Sequence, residues 1–249
     1  MIYTLALSIL FFPAFAQGQT ASDRSQTQNP DQRILTAEDF KNGRIIHGSG
    51  RVEETFWLQI NKNFPPYQFR LIPDAAVNES PETGTLPHRV GRIEISTGNP
   101  PALIQTIDVS ANASVSMFTA HFTAIDINFD SFLDIAVLDD FGAKWGRQKY
   151  WLFDKRSGRF ITNSLTEELH RITNNGIESH PETKEIEVWH FPEPTPRPGA
   201  VSETYKIVNG HLVLIRAEEI RSTSGGLKVF IRKRVNGKMR TVDTKDIKS

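Results

Sequence analysis

The chain has 249 residues and a mass of 28.1 kDa, with 29 basic and 29 acidic residues, so its formal net charge is zero. This balance argues against a protein whose main task is to bind nucleic acid, which needs a basic excess. The absence of cysteine excludes disulfides, cysteine-based zinc sites, iron–sulfur clusters and thiol nucleophiles. A hydrophobic share of 38% can build a packed core, which excludes a fully disordered chain.

The N-terminal segment has the pattern of a secretory signal. Residues 5–15 form an apolar run that is too short to span a bilayer as a helix, and Ala14-Phe15-Ala16 is the small-x-small pattern that precedes cleavage. We therefore expect a signal peptide over residues 1–16 and a periplasmic protein without stable membrane insertion. The alternative is a buried N-terminal strand or helix. Residues 17–33 are rich in Gln, Ser, Thr and Asp and predict a disordered linker.

The remaining residues, 34–249, are predicted to form one all-β domain. Segments that alternate between apolar and polar residues recur between Gly, Asn, Asp and Pro. Asn209-Gly210 and Asn236-Gly237 each separate two such segments, which is the signal of a type I′ hairpin. The predicted strands are 44–47, 55–60, 67–72, 90–96, 103–109, 118–125, 133–138, 150–153, 159–163, 185–190, 202–208, 211–217, 228–235 and 238–242.

A single segment, 164–171, has the pattern of a helix. Ser164 is its predicted N-cap, and Glu167 is the partner that a capping box requires three residues later. Strands joined by tight turns, without regular alternation of strands and helices, predict an antiparallel hairpin meander. We expect propeller-like closure of this meander with one short helix, while a large barrel and a two-sheet sandwich stay open as alternatives.

One short acidic segment carries the chemistry of a metal site. Asp126, Asn128, Asp130 and Asp134 place side-chain oxygens at positions 1, 3, 5 and 9, and Phe132 at position 7 adds a backbone carbonyl. Calcium takes six to eight oxygen ligands, and a cation relieves the repulsion between neighbouring carboxylates. These five residues therefore predict a calcium site. An ordinary acidic turn, whose Asp and Asn side chains bond their own backbone, is the alternative.

The segment differs from an EF-hand in two positions. Ser131 stands at position 6, where glycine usually allows a positive φ, and the serine costs about 1 kcal/mol there. Val137 stands at position 12 instead of a bidentate glutamate. Because the flanking segments are strand-like, we expect a calcium loop inside a β-hairpin. Its apolar residues are predicted to anchor the loop in the core: Ile127, Phe129, Phe132 and Leu133.

The acidic loop resembles the calcium loop of FG-GAP repeats in integrin-type propellers. Over residues 125–169, the order of motifs is similar to a family of bacterial periplasmic proteins typified by an immunity protein that inhibits a lysozyme-like effector of a type IV secretion system. The resemblance implies a calcium-bearing, propeller-like β-fold, with the five residues above as metal ligands. It also implies a lysozyme-like or other peptidoglycan-cleaving protein as partner. The motifs are 126–135, 142–148, 150–154, 158–160 and Leu165 with Leu169.

Two further segments are candidates for contacts with a partner. The segment 142–148 is predicted to project as a loop, with Trp145 and Arg147 as residue types common at interface hot spots. Packing of Trp145 into the body is the alternative. The basic residues of the C-terminal hairpin are expected to protect a sheet edge, with attraction to anionic cell wall or lipid as the alternative. They are Lys228, Arg232, Lys233, Arg234, Lys238 and Arg240.

No motif predicts an enzyme. The sequence has no GxSxG elbow, no HExxH helix and no glycine loop for phosphate, and its histidines are scattered. Asp139-Asp140 is expected to form a solvated turn, with a feature at the end of the calcium loop, behind the metal ligands, as the alternative. We therefore expect a non-enzymatic inhibitor of a peptidoglycan hydrolase, with a non-inhibitory calcium-binding domain of the FG-GAP kind as the alternative.

Overall fold

The computed structural model describes residues 33–41, 46–48, 54–73, 90–109, 120–142, 145–172, 176–190, 199–224 and 226–246. The predicted signal peptide and nearly all of the predicted linker lie outside the described residues. All described residues belong to one compact unit, Arg33–Ser249. Among them, no helix has the length and apolar character needed to cross a membrane.

The described residues form sixteen strands and two helices. In chain order they are β1 Ile34–Leu35, α1 Ala37–Lys41, β2 Ile46–Gly48, β3 Glu54–Leu58, β4 Tyr67–Pro73, β5 Val90–Thr97, β6 Ala102–Asp108, β7 Ala120–Ile125, β8 Asp134–Gly142, β9 Trp145–Asp154, β10 Arg159–Ile161, α2 Ser164–Arg171, β11 Gly176–His180, β12 Glu185–Trp189, β13 Gly199–Val208, β14 His211–Thr223, β15 Gly226–Val235 and β16 Lys238–Asp246.

The strands form three sheets. The first sheet has the order β1-β3-β4-β5-β6, the second β10-β9-β8-β7-β2 and the third β11-β12-β13-β14-β15-β16. Nearly every pair is antiparallel and joins consecutive strands, and the short β1–β3 pair is parallel. The all-β, antiparallel prediction is confirmed. None of the described strands closes a barrel, and propeller-like closure stays a prediction.

Both faces of the second sheet are covered by other parts of the protein. Since successive side chains of a strand point to opposite faces, each of its central strands contributes side chains to two cores. On one face, Ile135, Val137 and Phe153 pack with Phe69 and Ile95 of the first sheet in a core that we call the first core. Aromatic rings contribute strongly to it, as where the ring centroids of Phe69 and Phe122 lie 5.6 Å apart. The first two sheets are therefore held face to face.

The opposite face of the second sheet meets the helix α2 and the third sheet. Ala136 and Leu152 point to this side and pack with Leu169 of α2 and with Ile186 and Val188 of β12. Leu169, Ile186 and Val188 are fully buried. We call this cluster the second core. The second sheet thus lies between two cores that share its strands.

The type I′ hairpins are confirmed. Asn209 and Gly210 have φ values of 52° and 76°, and Asn236 and Gly237 have 50° and 76°. A type I′ turn needs positive φ at both central residues, which Asn and Gly adopt at low cost. The two turns fix the register of β13 with β14 and of β15 with β16.

The predicted helix is correct, but its cap lies one residue earlier. The side chain of Asn163 accepts a hydrogen bond from the backbone N–H of Thr166 at 3.1 Å. The hydroxyl of Thr166 accepts one in return from the backbone N–H of Asn163 at 2.8 Å. Asn163 therefore replaces Ser164 as the N-cap, and Thr166 replaces Glu167 as its partner.

The sequence patterns missed three short elements: β1, β11 and α1. The strand β1 has two residues, and α1 has five, which is too short for a helical period to appear. The helix is supported instead by Asp39, whose carboxylate accepts a hydrogen bond from the backbone N–H of Thr36 at 2.9 Å. These short elements are stabilised by local side-chain hydrogen bonds and by tertiary contacts, which a periodic sequence pattern does not reveal.

Candidate metal centre at the acidic loop

The acidic loop, residues 126–133, connects β7 with β8 and is anchored in both cores. Ile127 is fully buried in the second core, and Phe129 packs against the same cluster. Leu133 is buried in the first core, where the ring of Phe132 stacks on Phe153 with centroids 5.4 Å apart. The prediction that apolar residues anchor this loop is confirmed.

The polar side chains of the loop bond its own backbone. The two carboxylate oxygens of Asp126 accept hydrogen bonds from the N–H groups of Asp130 at 3.0 Å and Ser131 at 2.9 Å. Asn128 accepts a bond from Asp130, and Asp130 accepts one from Phe132. Each carboxyl or amide oxygen has two lone pairs, so one N–H bond leaves room for a second partner. The network has the hydrogen bonds expected of an ordinary acidic turn, which is the alternative to a calcium site. It also leaves lone pairs on the same oxygens with which a cation could be bound.

Two residues of the loop adopt the left-handed region. Ser131 has a φ of 70°, as expected for position 6, and Phe129 has a φ of 61°. Such values cost a residue with a Cβ about 1–2 kcal/mol each. Burial of the Phe129 side chain against the second core offsets its cost, whereas Ser131 is exposed.

Asp134, at position 9, is fully buried. Its Oδ2 accepts a hydrogen bond from the backbone N–H of Ile127 at 3.1 Å, and its Oδ1 accepts one from Phe153 at 2.8 Å. Burial raises the pKa of Asp134 to about 8, although the two N–H groups act in the opposite direction and the charges of Asp130 and Asp126 add to the rise. The carboxyl thus joins the loop to β9.

The predicted ligands have the chemical type that a hard cation requires, since calcium prefers carboxylate, amide and carbonyl oxygens. Burial also raises the pKa of Asp126, and the charge of Asp130 contributes to this rise. Within the described ranges, no group of three or more acidic or histidine side chains is arranged to hold a metal ion. The calcium set Asp126, Asn128, Asp130, Phe132 and Asp134 stays a prediction.

Three hydrogen bonds between the loop region and the rest of the protein were not predicted from the sequence. The side-chain amide of Asn61 donates a hydrogen bond to the backbone carbonyl of Ser131 at 2.7 Å. The N–H of Leu133 donates to the carbonyl of Ile60 at 3.0 Å. The hydroxyl of Ser179 donates to the carbonyl of Asp126 at 2.9 Å. These partners lie far from the loop in sequence, and no local signal pairs them with it.

The prediction that residues 142–148 project as a loop is wrong. Trp145 and Arg147 lie on the strand β9, where Trp145 pairs with Gly142 and Arg147 with Asp140 of β8. The ladder between the two strands takes up the backbone groups that a loop would leave free. Trp145 also lies at the far end of β8 from Asp134, roughly 27 Å along the strand. Their role in partner binding stays a prediction.

Asp139 is not part of a solvated turn. Its side chain is only 11% exposed and lies 3.0 Å from the Lys149 ammonium and 3.4 Å from Nε2 of His170 on α2. The Nδ1 of the same imidazole lies 3.1 Å from the carbonyl oxygen of Gln148. This cluster fastens α2 to the second sheet.

No protein-family model and no curated protein matches this chain. Among solved structures, the chain is similar to a Xanthomonas protein described as related to the type IV secretion system, with 15% sequence identity and a TM-score of 0.46. The match covers 77% of this chain and 99% of that chain. The fold and the loop together define an all-β protein with three packed sheets and an acidic hairpin loop anchored in two cores.

Proposed function

We propose that the protein is a periplasmic, calcium-stabilised binding protein that inhibits a lysozyme-like peptidoglycan hydrolase and has no enzymatic activity of its own. The motifs over residues 125–169 support the inhibitory role, and the signal-like N-terminal segment supports the compartment. The observation that carries the proposal is the anchoring of the acidic loop in both cores. A cation held there would stabilise both cores together.

Calcium would be held by oxygens of Asp126, Asn128 and Asp130, the carbonyl of Phe132 and the carboxylate of Asp134. The bonds from Ile127 and Phe153 fix the orientation of Asp134 and leave each of its oxygens a second lone pair. The ion would neutralise the repulsion between the carboxylates. A body made rigid in this way loses little conformational entropy when it binds a partner.

The end of the β8–β9 hairpin is the proposed contact with the hydrolase. Trp145 and Arg147 are two residues apart at the start of β9, where this strand begins its pairing with β8. Lysozyme-like enzymes cleave their substrate with a pair of carboxylates in a cleft. A guanidinium pairs well with a carboxylate, and an indole adds apolar contact area. The hairpin end would therefore block the cleft and cover a catalytic carboxylate.

A turbidity assay tests the proposal. Suspended peptidoglycan is cleared by hydrolases of several lysozyme types, with and without the purified protein and with calcium or chelator. We expect protection against at least one type, and we expect Arg147→Ala to weaken it by about tenfold. Arg156→Ala, an exposed arginine in the turn that follows β9, is the matched control and should protect fully.

The other outcomes separate the alternatives. Clearing by the protein alone would identify an enzyme and contradict the proposal. Absence of protection against every hydrolase, together with a calcium response, would leave a non-inhibitory calcium-binding domain of the FG-GAP kind.

A further inference from the structure

A row of charged residues crosses the whole third sheet. The register places Glu178 opposite Glu187, Glu187 opposite Thr204, Thr204 opposite Arg216, Arg216 opposite Lys233, and Lys233 opposite Arg240. Directly opposite residues of an antiparallel pair lie on the same face. The six side chains therefore form one line, which we call the charge row, with two carboxylates at one end and three cations at the other.

The charge row lies on the outer face of the sheet. On β12, the residues on either side of Glu187 are Ile186 and Val188, which are fully buried in the second core and so mark the inner face. Glu178, Lys233 and Arg240 are exposed, and the side chain of Arg216 is 46% exposed. On the same face of β12, Trp189 is 47% exposed. Thr204, at the centre of the row, is only 9% exposed. The charged side chains of the row and this indole are therefore the groups that a partner can reach.

The row brings like charges together at both ends. Like charges directly opposite one another destabilise a sheet. Arg216 is paired with Glu218, and Glu187 lies 3.4 Å from Nε2 of His180. Among the described residues, no carboxylate forms an ion pair with Lys233 or Arg240. A partner whose charges run in the reverse order would relieve both ends at once.

A second copy of this chain has that order of charges. We propose that two copies associate face to face through the outer faces of their third sheets, related by a two-fold axis parallel to the strands between β13 and β14. The rotation places Glu178 over Arg240 of the second copy and Glu187 over its Lys233. Thr204 and Arg216 exchange places near the axis. Such an interface is isologous, so every contact occurs twice.

The interface is small and electrostatic. The row spans five strand spacings, about 24 Å, and packed sheets lie about 10 Å apart. Exposed ion pairs are screened by salt, so association should weaken as ionic strength rises. The two indoles of Trp189 add the apolar area that such interfaces usually contain. The expected product is a weak, salt-sensitive dimer.

Sedimentation velocity of the purified full chain at low and high salt tests the proposal, with reversal of each end of the row. Lys233→Glu with Arg240→Glu makes the row acidic at both ends, and Glu178→Lys with Glu187→Lys makes it basic at both ends. Each double variant alone should be monomeric, with a dissociation constant raised by at least about tenfold. A mixture of the two should regain the dimer, because both halves of the mixed interface are then complementary.

One control variant and two possible results test the proposed dimer. Lys155→Glu with Arg156→Glu makes the same change of charge in an exposed turn of the second sheet and should dimerise like the parent. A parent that stays monomeric at low salt and high concentration would overturn the proposal. So would a mixture of the two reversed variants that stays monomeric while both remain folded by circular dichroism.

Discussion

The buried carboxylate of Asp134 accepts a hydrogen bond from the backbone N–H of Phe153, with Oδ1 2.8 Å from that nitrogen. Phe153 also stacks on Phe132 of the acidic loop. One residue of β9 thus contacts both the loop, through the ring of Phe132, and the first residue of β8, through the carboxyl of Asp134. The loop is therefore part of the packed body as well as the predicted metal site.

Asp134→Ala should destabilise the protein by about 3 kcal/mol, because it leaves the buried N–H groups of Ile127 and Phe153 without their acceptor. Asp154→Ala is the control, since Asp154 also bonds two N–H groups but in an exposed turn. Its cost should be smaller. Urea unfolding at neutral pH measures both variants. Equal losses would contradict a special role for the buried carboxylate.

Ser131→Gly should stabilise the protein by about 1 kcal/mol, because glycine adopts a φ of 70° without the steric cost that serine has there. The matched variant is Asn209→Gly, at a φ of 52° in a hairpin turn. Asparagine tolerates this region, so its replacement should change the free energy of unfolding little. Thermal unfolding at a fixed calcium concentration compares the two. A loss of stability in Ser131→Gly would show that the serine has another function.

Asn61→Ala should loosen the loop from the first sheet. The substitution removes the bond from the Asn61 amide to the carbonyl of Ser131 and should cost about 1 kcal/mol. It should also speed amide exchange at Ser131 and Phe132, since their segment loses a tie to the body. Hydrogen exchange read by mass spectrometry measures this change. Unaltered exchange in the loop would show that the Asn61 bond contributes nothing to its order.

Glu203 should make stability depend on pH. The His190 side chain, and next the Tyr205 hydroxyl, bond its carboxylate and hold the pKa of Glu203 below its ordinary value, against the effect of burial. A depressed pKa contributes stability above the pKa of the unfolded chain, near 4.3, and this contribution is lost as pH falls through the folded value.

The free energy of unfolding of Glu203→Gln should therefore be about 1 kcal/mol lower than that of the parent near neutral pH. This difference should shrink below about pH 4.5. Chemical unfolding over pH 3 to 7 provides the measurement. A difference that grows as the solution becomes more acidic would contradict the assigned direction.

Local patterns predicted most of the fold. Alternation located fourteen of the strands, and Asn-Gly pairs located two turns, because both signals lie within a few consecutive residues. The same holds for the anchors of the loop, where Ile127 and Leu133 stand out as apolar residues among acidic ones. The positive φ of Ser131 followed from its position in the loop.

Long-range pairing was not predictable. The bond from Asn61 to Ser131 joins residues 70 positions apart, and nothing in either segment signals the other. The position of Trp145 was misjudged because residues 142–148 were interpreted as a projecting loop, whereas pairing with β8 places Trp145 on a strand. The burial of Asp139 depends on α2, which packs on it from a later part of the chain.

Calcium binding at the acidic loop is tested most directly by the melting temperature of chelator-treated protein as calcium is added back. A ligand bound by the native state alone, at a hundredfold excess over its Kd, stabilises by about 2.7 kcal/mol, which is about 5–10 °C for a chain of this size. We predict such a rise in the parent, none in Asp126→Ala or Asp130→Ala, and a full rise in Asp154→Ala. An unchanged melting temperature in the parent would contradict the calcium site.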